Sequence, residues 1–169
     1  GRIVKTGDAF ALPADVPLLD LGKRFVLPGL IDCHTHAGMD GPGGDPAADR
    51  NEPFQMVCPS LRAVDASDMM DPAFCDALRA GITVLGVMLG PYGVVCGQAG
   101  AMLTGAREPW EAIAKENAGM TCAMGLRPRM AADAAGISPK TKMAVAEMLR
   151  QSVRDAQNEL SAGGPRRCL

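Results

Sequence analysis

The stretch Leu30-Ile31-Asp32-Cys33-His34-Thr35-His36 constrains this chain more than any other part of it. It follows a Pro28-Gly29 turn, begins apolar and ends polar. That is the pattern of a buried parallel strand running into a site at its C-terminal end. Side chains alternate across a strand, so His34 and His36 are expected on one face, with Asp32 on the same face one step earlier. They are the two histidines of the chain. Two imidazoles fixed on one face need little reorganisation to share a divalent ion, and imidazole is a common ligand of zinc. Asp32 is placed to orient one of the rings by a hydrogen bond. Taken alone, a His-x-His at a strand end is more often plain polar surface, so the surroundings decide.

The composition describes a globular protein rather than a disordered one: 47% hydrophobic and 21% charged over 169 residues. A net charge of −2, with no basic run longer than two residues, lacks the basic face that a nucleic acid or an anionic membrane surface requires. No apolar run reaches the roughly 18 to 20 residues that span a bilayer, and Gly1 to Lys5 do not open a secretory signal. The six cysteines are scattered without a C-x-x-C pair, and a core of this size needs no disulfides. Reduced thiols and a cytoplasmic location are expected. The chain opens at Gly1 within an apolar alternating segment and closes on Gly163 to Leu169, which completes no element, so it reads as part of a longer one.

Residues 1–28 read as short strands and turns, a small β module. After His36, a Gly-, Pro- and Asp-rich loop runs to about Ser60, longer than a plain connector and therefore a candidate lid or binding loop. Asp71-Pro72 opens a helix that Gly81 stops. Ile82 to Leu89 reads as a buried strand, and Gly90 to Gly100 as a Gly-rich loop. A short helix is predicted from Pro109 to near Gly119, then a strand over Met120 to Leu126. Ser138-Pro139 opens the longest helix, with an apolar stripe at Met143, Ala146, Leu149, Val153, Ala156 and Leu160, and Gly163-Gly164 stops it. Alternating strands and helices predict βα units on a parallel sheet. Cys33, next to His34, alternates to the opposite face and reads as a small core residue.

The string Val26-Leu27-Pro28-Gly29-Leu30-Ile31-Asp32-Cys33-His34-Thr35-His36 resembles the opening signature of the amidohydrolase superfamily of metal-dependent hydrolases. The likeness continues through Asp49 to Glu52, Pro59 to Ala66, Asp71 to Phe74, Ala80 to Thr83, Gly97-Gln98 and Ala118 to Met120. It covers roughly residues 2–160 and is strongest to the imidazolonepropionase-related amidohydrolases. The resemblance implies an α/β fold: a (β/α)8 TIM-type barrel in part, preceded by part of a small β-sandwich. Residues 1–28 would be the sandwich segment and residues 29–169 the first half of the barrel, since the residues after His36 suffice for about four βα units of ~31 residues each.

The same resemblance implies that His34 and His36 bind one or two divalent ions, with zinc the expected metal. Later strands would add two histidines, a bridging carboxylate or carboxylated lysine, and an aspartate as general base, expected beyond residue 169. Leu126 stands where many relatives carry an acidic residue, so no bridging residue is assigned. The resemblance also makes Asn51, Glu52 and Gln98 candidates for the substrate pocket or its lid, against the alternative of hydrogen bonds that only brace loops. The implied activity is metal-assisted hydrolysis of a C–N bond in a cyclic amide or peptide-like small molecule, by an enzyme whose complete form could be a homo-oligomer. The alternative is a non-catalytic truncated product or a partial fold that depends on a partner.

Overall fold

The computed structural model describes residues 3–8, 11, 13–41, 49–52 and 55–163. Gly164 of the expected helix stop, Cys168, and Ala9, Phe10 and Leu12 of the expected β module lie outside these residues. Strand β1 (Leu30–Thr35) starts directly after Pro28-Gly29. Helix α1 (Ala63–Ala66) is a single turn, and helix α2 (Pro72–Arg79) forms as its sequence predicts. The Asp71 carboxylate accepts the Ala73 N–H at 2.8 Å, Pro72 occupies a position where no amide is needed, and Gly81 takes φ +83° past the C-cap. The Gly81 carbonyl accepts the Leu30 amide at 2.9 Å, joining the end of α2 to the start of β1, and β2 (Ile82–Val87) then runs parallel to β1.

After β2 the chain leaves the expected alternation. Strand β3 (Val95–Leu103) occupies half of what reads as a Gly-rich loop, and it pairs antiparallel with β2. The helix predicted from Pro109 shrinks to α3 (Pro109–Ala112). Strand β4 (Ile113–Cys122) follows at once, antiparallel to β3, and ends four residues before the predicted Leu126. The sheet order β1-β2-β3-β4 is therefore mixed, and only its first pair is parallel. The glycines of β3 serve close packing: a Cβ at Gly97 would lie 2.5 Å from the Leu61 carbonyl oxygen, and one at Gly100 would strike Val64 of α1. In β4 the helix-forming Ala, Lys and Glu residues yield to the ladder offered by β3.

Helix α4 (Arg127–Ala134) carries little sequence signal beyond Pro128 in its first turn. The longest helix, α5 (Lys142–Ser161), begins after Thr141, whose hydroxyl accepts the Ala144 N–H at 3.2 Å, rather than at Pro139. Its anchor is Val145, buried with Met56, Val94 and Ala132, and joined by Met148 and Leu149. Met143, Val153 and Leu160 of the predicted stripe are exposed. Among the described residues of 3–28 no strand forms, because no described segment offers them a ladder. No described helix is long and apolar enough to cross a membrane.

The main core lies on one face of the sheet. Leu85 and Val87 of β2 and Met102 of β3 pack against Phe74 of α2 and Ala63 and Val64 of α1, all buried. Each large side chain removed from water there contributes about 1.5–3 kcal/mol. The other face is an open apolar groove lined by Ile31, Cys33, Val84, Gly86, Met88, Ala99, Ala101 and Met120.

Candidate metal centre

The histidines are set by an irregularity in β1. Asp32 pairs with Leu85 and Thr35 with Val87, so two residues of β1, Cys33 and His34, oppose the single Gly86 of β2. This extra residue breaks the strict alternation. Asp32 and Thr35 share the covered face of Leu85 and Val87, and His34 and His36, flanking Thr35, project to the other side. The Asp32 carboxylate accepts the backbone N–H of His34 at 3.1 Å, across the bulge. Cys33 is exposed on the open face, not a core residue. Gly86 is what lets the bulge sit close, since a Cβ there would lie 2.7 Å from the Cys33 carbonyl oxygen.

The two imidazole centroids are 5.6 Å apart, with ring planes at 80°. The His36 ring is oriented by the backbone: Nδ1 lies 2.7 Å from the Met88 carbonyl oxygen. A carbonyl only accepts, so Nδ1 is the donor, and in the neutral ring Nε2 is the nitrogen left with a lone pair for an ion. The Met88 N–H in turn donates to the Thr35 carbonyl at 2.9 Å, which fixes the end of β1 to the residue after β2. The Met88 carbonyl is the functional group that sequence reasoning missed, because a backbone acceptor leaves no mark on residue identity. His34 is exposed and His36 half-buried.

Asn51 and Glu52 stand beside Leu89 and Gly90, the residues that follow Met88. The Asn51 Oδ1 accepts the Tyr92 N–H at 3.2 Å and lies against Gly90. Glu52 lines a small cavity with Arg50, Gln55, Cys58, Leu89, Gly90, Gly93 and Cys96. Gln98 sits on β3, where its Nε2 donates to the Pro59 carbonyl at 3.2 Å and its backbone N–H to the Leu61 carbonyl at 2.7 Å. These bonds brace the 49–61 segment against the sheet. Among the described residues no group of three His, Cys, Asp or Glu gathers to hold an ion. The fit to a divalent metal is therefore that of two preset imidazole donors, one with its free nitrogen defined, which would need further ligands to complete a coordination sphere.

No family model matches the chain. Part of it is similar to curated proteins named imidazolonepropionase. That of Paraburkholderia phymatum is 47% identical over 53 residues, 30% of this chain and 13% of that protein. That of Paracoccus denitrificans is 46% identical over 59 residues, 33% of this chain and 13% of that protein. Among solved structures, an amidohydrolase from Thermotoga maritima superposes with a TM-score of 0.86 and 28% identity, over 94% of this chain and 42% of that one. The chain thus spans less than half the length of the relatives it matches.

Proposed function

We propose that the chain, part of whose sequence is similar to imidazolonepropionases and whose fold matches an amidohydrolase, carries the first metal-binding strand of a hydrolase acting on a C–N bond of a cyclic amide or peptide-like small molecule. In this reading residues 29–169 are the first half of a (β/α)8 barrel and residues 1–28 a segment of a small β-sandwich. The observation that carries the proposal is the His34/His36 pair, projected together by the β1 bulge, with Met88 holding the His36 tautomer. The open apolar face of the sheet supports it too, because a barrel fills such a face with further side chains.

His34 and His36 would hold one or two divalent ions, zinc foremost. The chemistry supplied by such an ion when bound is Lewis acidity: activation of water near neutral pH and polarisation of a carbonyl. The chain's own residues position that site. The Met88 carbonyl orients the His36 ring through Nδ1 and leaves Nε2 facing away from that bond, and Gly86 lets β1 approach β2 closely. Asn51 and Glu52 are assigned to the pocket wall beside Leu89-Gly90, with Gln98 bracing the segment that carries them. The remaining ligands and the general base are assigned outside these residues. Five described cysteines are free thiols, which supports a reducing, cytoplasmic setting, and the complete enzyme is proposed as a homo-oligomer. The test is hydrolysis of a panel of cyclic amides and dipeptide-like amides by the intact gene product, with and without His34→Ala/His36→Ala. Zinc-dependent turnover that the double variant abolishes supports the reading, and equal turnover in both refutes it.

A second reading, a non-catalytic partial fold that depends on a partner, is favoured by one observation. Ile31 is 68% exposed on a groove of otherwise apolar lining. An uncovered face of this kind drives association. Sedimentation decides it: self-association or aggregation of the 169-residue chain supports this reading, and a monodisperse monomer with cooperative unfolding refutes it.

A further inference from the structure

A pair of buried thiols lies away from the histidines, where the segment before α1 joins the sheet. Val57 forms a parallel bridge with Val95, closed by the Val95 N–H to the Met56 carbonyl at 3.0 Å and by the Cys58 N–H to the Val95 carbonyl at 2.8 Å. One step on in both segments stand Cys58 and Cys96, next to the bridged pair. Both are buried free thiols, and both line the cavity that Arg50, Glu52, Gln55, Leu89, Gly90 and Gly93 complete. The cavity is small, about 10 Å³, which admits roughly one water-sized group.

We propose that Cys58 and Cys96 form a two-thiolate site for one soft d10 ion of the Cu(I) class. Three observations carry it: the place of both thiols next to the Val57–Val95 bridge, a shared cavity, and a volume that takes a single ion. Neighbouring strands are about 4.8 Å apart, which suits two sulfurs spanned by an ion through bonds of about 2.3 Å each. A disulfide asks for a much closer approach, with Cβ atoms about 3.5–4.5 Å apart. Thiolates suit both Cu(I) and zinc, but zinc asks for four ligands, so a site of two thiolates favours the ion content with two. In the absence of an ion both thiols are donors: Cys96 Sγ lies 3.3 Å from the Gly93 carbonyl, and Cys58 Sγ lies 3.4 Å from Gln55 Oε1.

Binding therefore replaces two S–H bonds by two sulfur–metal bonds and releases two protons, with no change of oxidation state. Both thiols hold their protons through neutral pH. Burial pushes Cys96 up to about 11, with Cys122 and Cys58 adding to the rise. Burial, and then the charge of Glu52, raise Cys58. Arg50 is the cationic side chain lining the same cavity.

The test is anaerobic titration of the chain with Cu(I) against a chromophoric chelator. One ion per chain is expected, bound about a hundredfold more tightly for each unit of pH gained through the neutral range, as release of two protons requires. Cys58→Ser and Cys96→Ser should each weaken binding at least a hundredfold, while Cys33→Ser and His34→Ala/His36→Ala leave it unchanged. If a serine variant loses its native circular dichroism, Cys58→Ala and Cys96→Ala carry the test at the same positions. Wild-type affinity in either Cys58 or Cys96 variant overturns the proposal. So does loss of Cu(I) in the histidine or Cys33 variants, or retention of the ion without pH dependence.

Discussion

Gly86→Ala probes the contact on which the metal strand depends. The new Cβ would lie 2.7 Å from the Cys33 carbonyl oxygen and 2.8 Å from its carbon. A carbon–oxygen contact normally rests at about 3.3–3.6 Å, so β1 must move away by roughly 0.6 Å at its bulge. The obstructing atoms are backbone and have no rotamer with which to give way. Forcing extra volume into a packed site costs about 1–3 kcal/mol, which for a chain of this size lowers Tm by roughly 2–12 °C. Cys33 adjoins His34, so the displacement also disturbs the spacing of the rings, and zinc affinity should fall along with stability. Gly119→Ala is the control, since nothing lies within 4 Å of its Cβ position. It should stay within about 0.5 kcal/mol of wild type. Thermal unfolding by circular dichroism with zinc titration on both variants reads the result. A Gly86→Ala protein as stable and as zinc-competent as the Gly119→Ala protein would refute the reasoning.

Asp71→Ala removes the side-chain cap on the Ala73 amide and should cost about 1 kcal/mol, read as a lower urea midpoint at unchanged slope. For Cys96, a folded-state pKa raised to about 11 from 9.0 means the folded state favours the neutral thiol. That contribution is full below pH 9 and is lost as pH rises through 11, so a Cys96→Ala variant should show a flatter stability profile over that window. At neutral pH iodoacetamide should label the exposed Cys33 and Cys75 well before Cys96, as followed by peptide mass spectrometry.

Some of this architecture is legible in residue identity and some is not, for physical reasons. β1, α2 and β2 declare themselves because their signals are local: an apolar run, an Asp-Pro cap, a Gly stop and a β-branched run. The hairpin of β3 and β4 does not. Gly97 and Gly100 read as loop formers, yet they are small because Leu61 and Val64 press on them, a requirement set by α1 and the residues just before it. Ala114, Lys115, Glu116 and Ala118 read as helix, yet β3 presents an unpaired edge that outweighs their propensity. The site shows the same division. The alternation rule singles out His34 and His36, but the one-residue bulge that sets Cys33 and His34 against Gly86 leaves no sequence signature. The Met88 carbonyl that fixes the His36 ring is invisible for a simpler reason: every residue has one.

The central claim is that His34 and His36 bind a divalent ion as a pair. Equilibrium dialysis against zinc, followed by elemental analysis, tests it on the wild-type chain, the two single alanine variants and the double variant. The account predicts bound zinc in the wild type, weakened binding in His34→Ala and in His36→Ala, and none above background in the double variant. Equal zinc in all four proteins would contradict it.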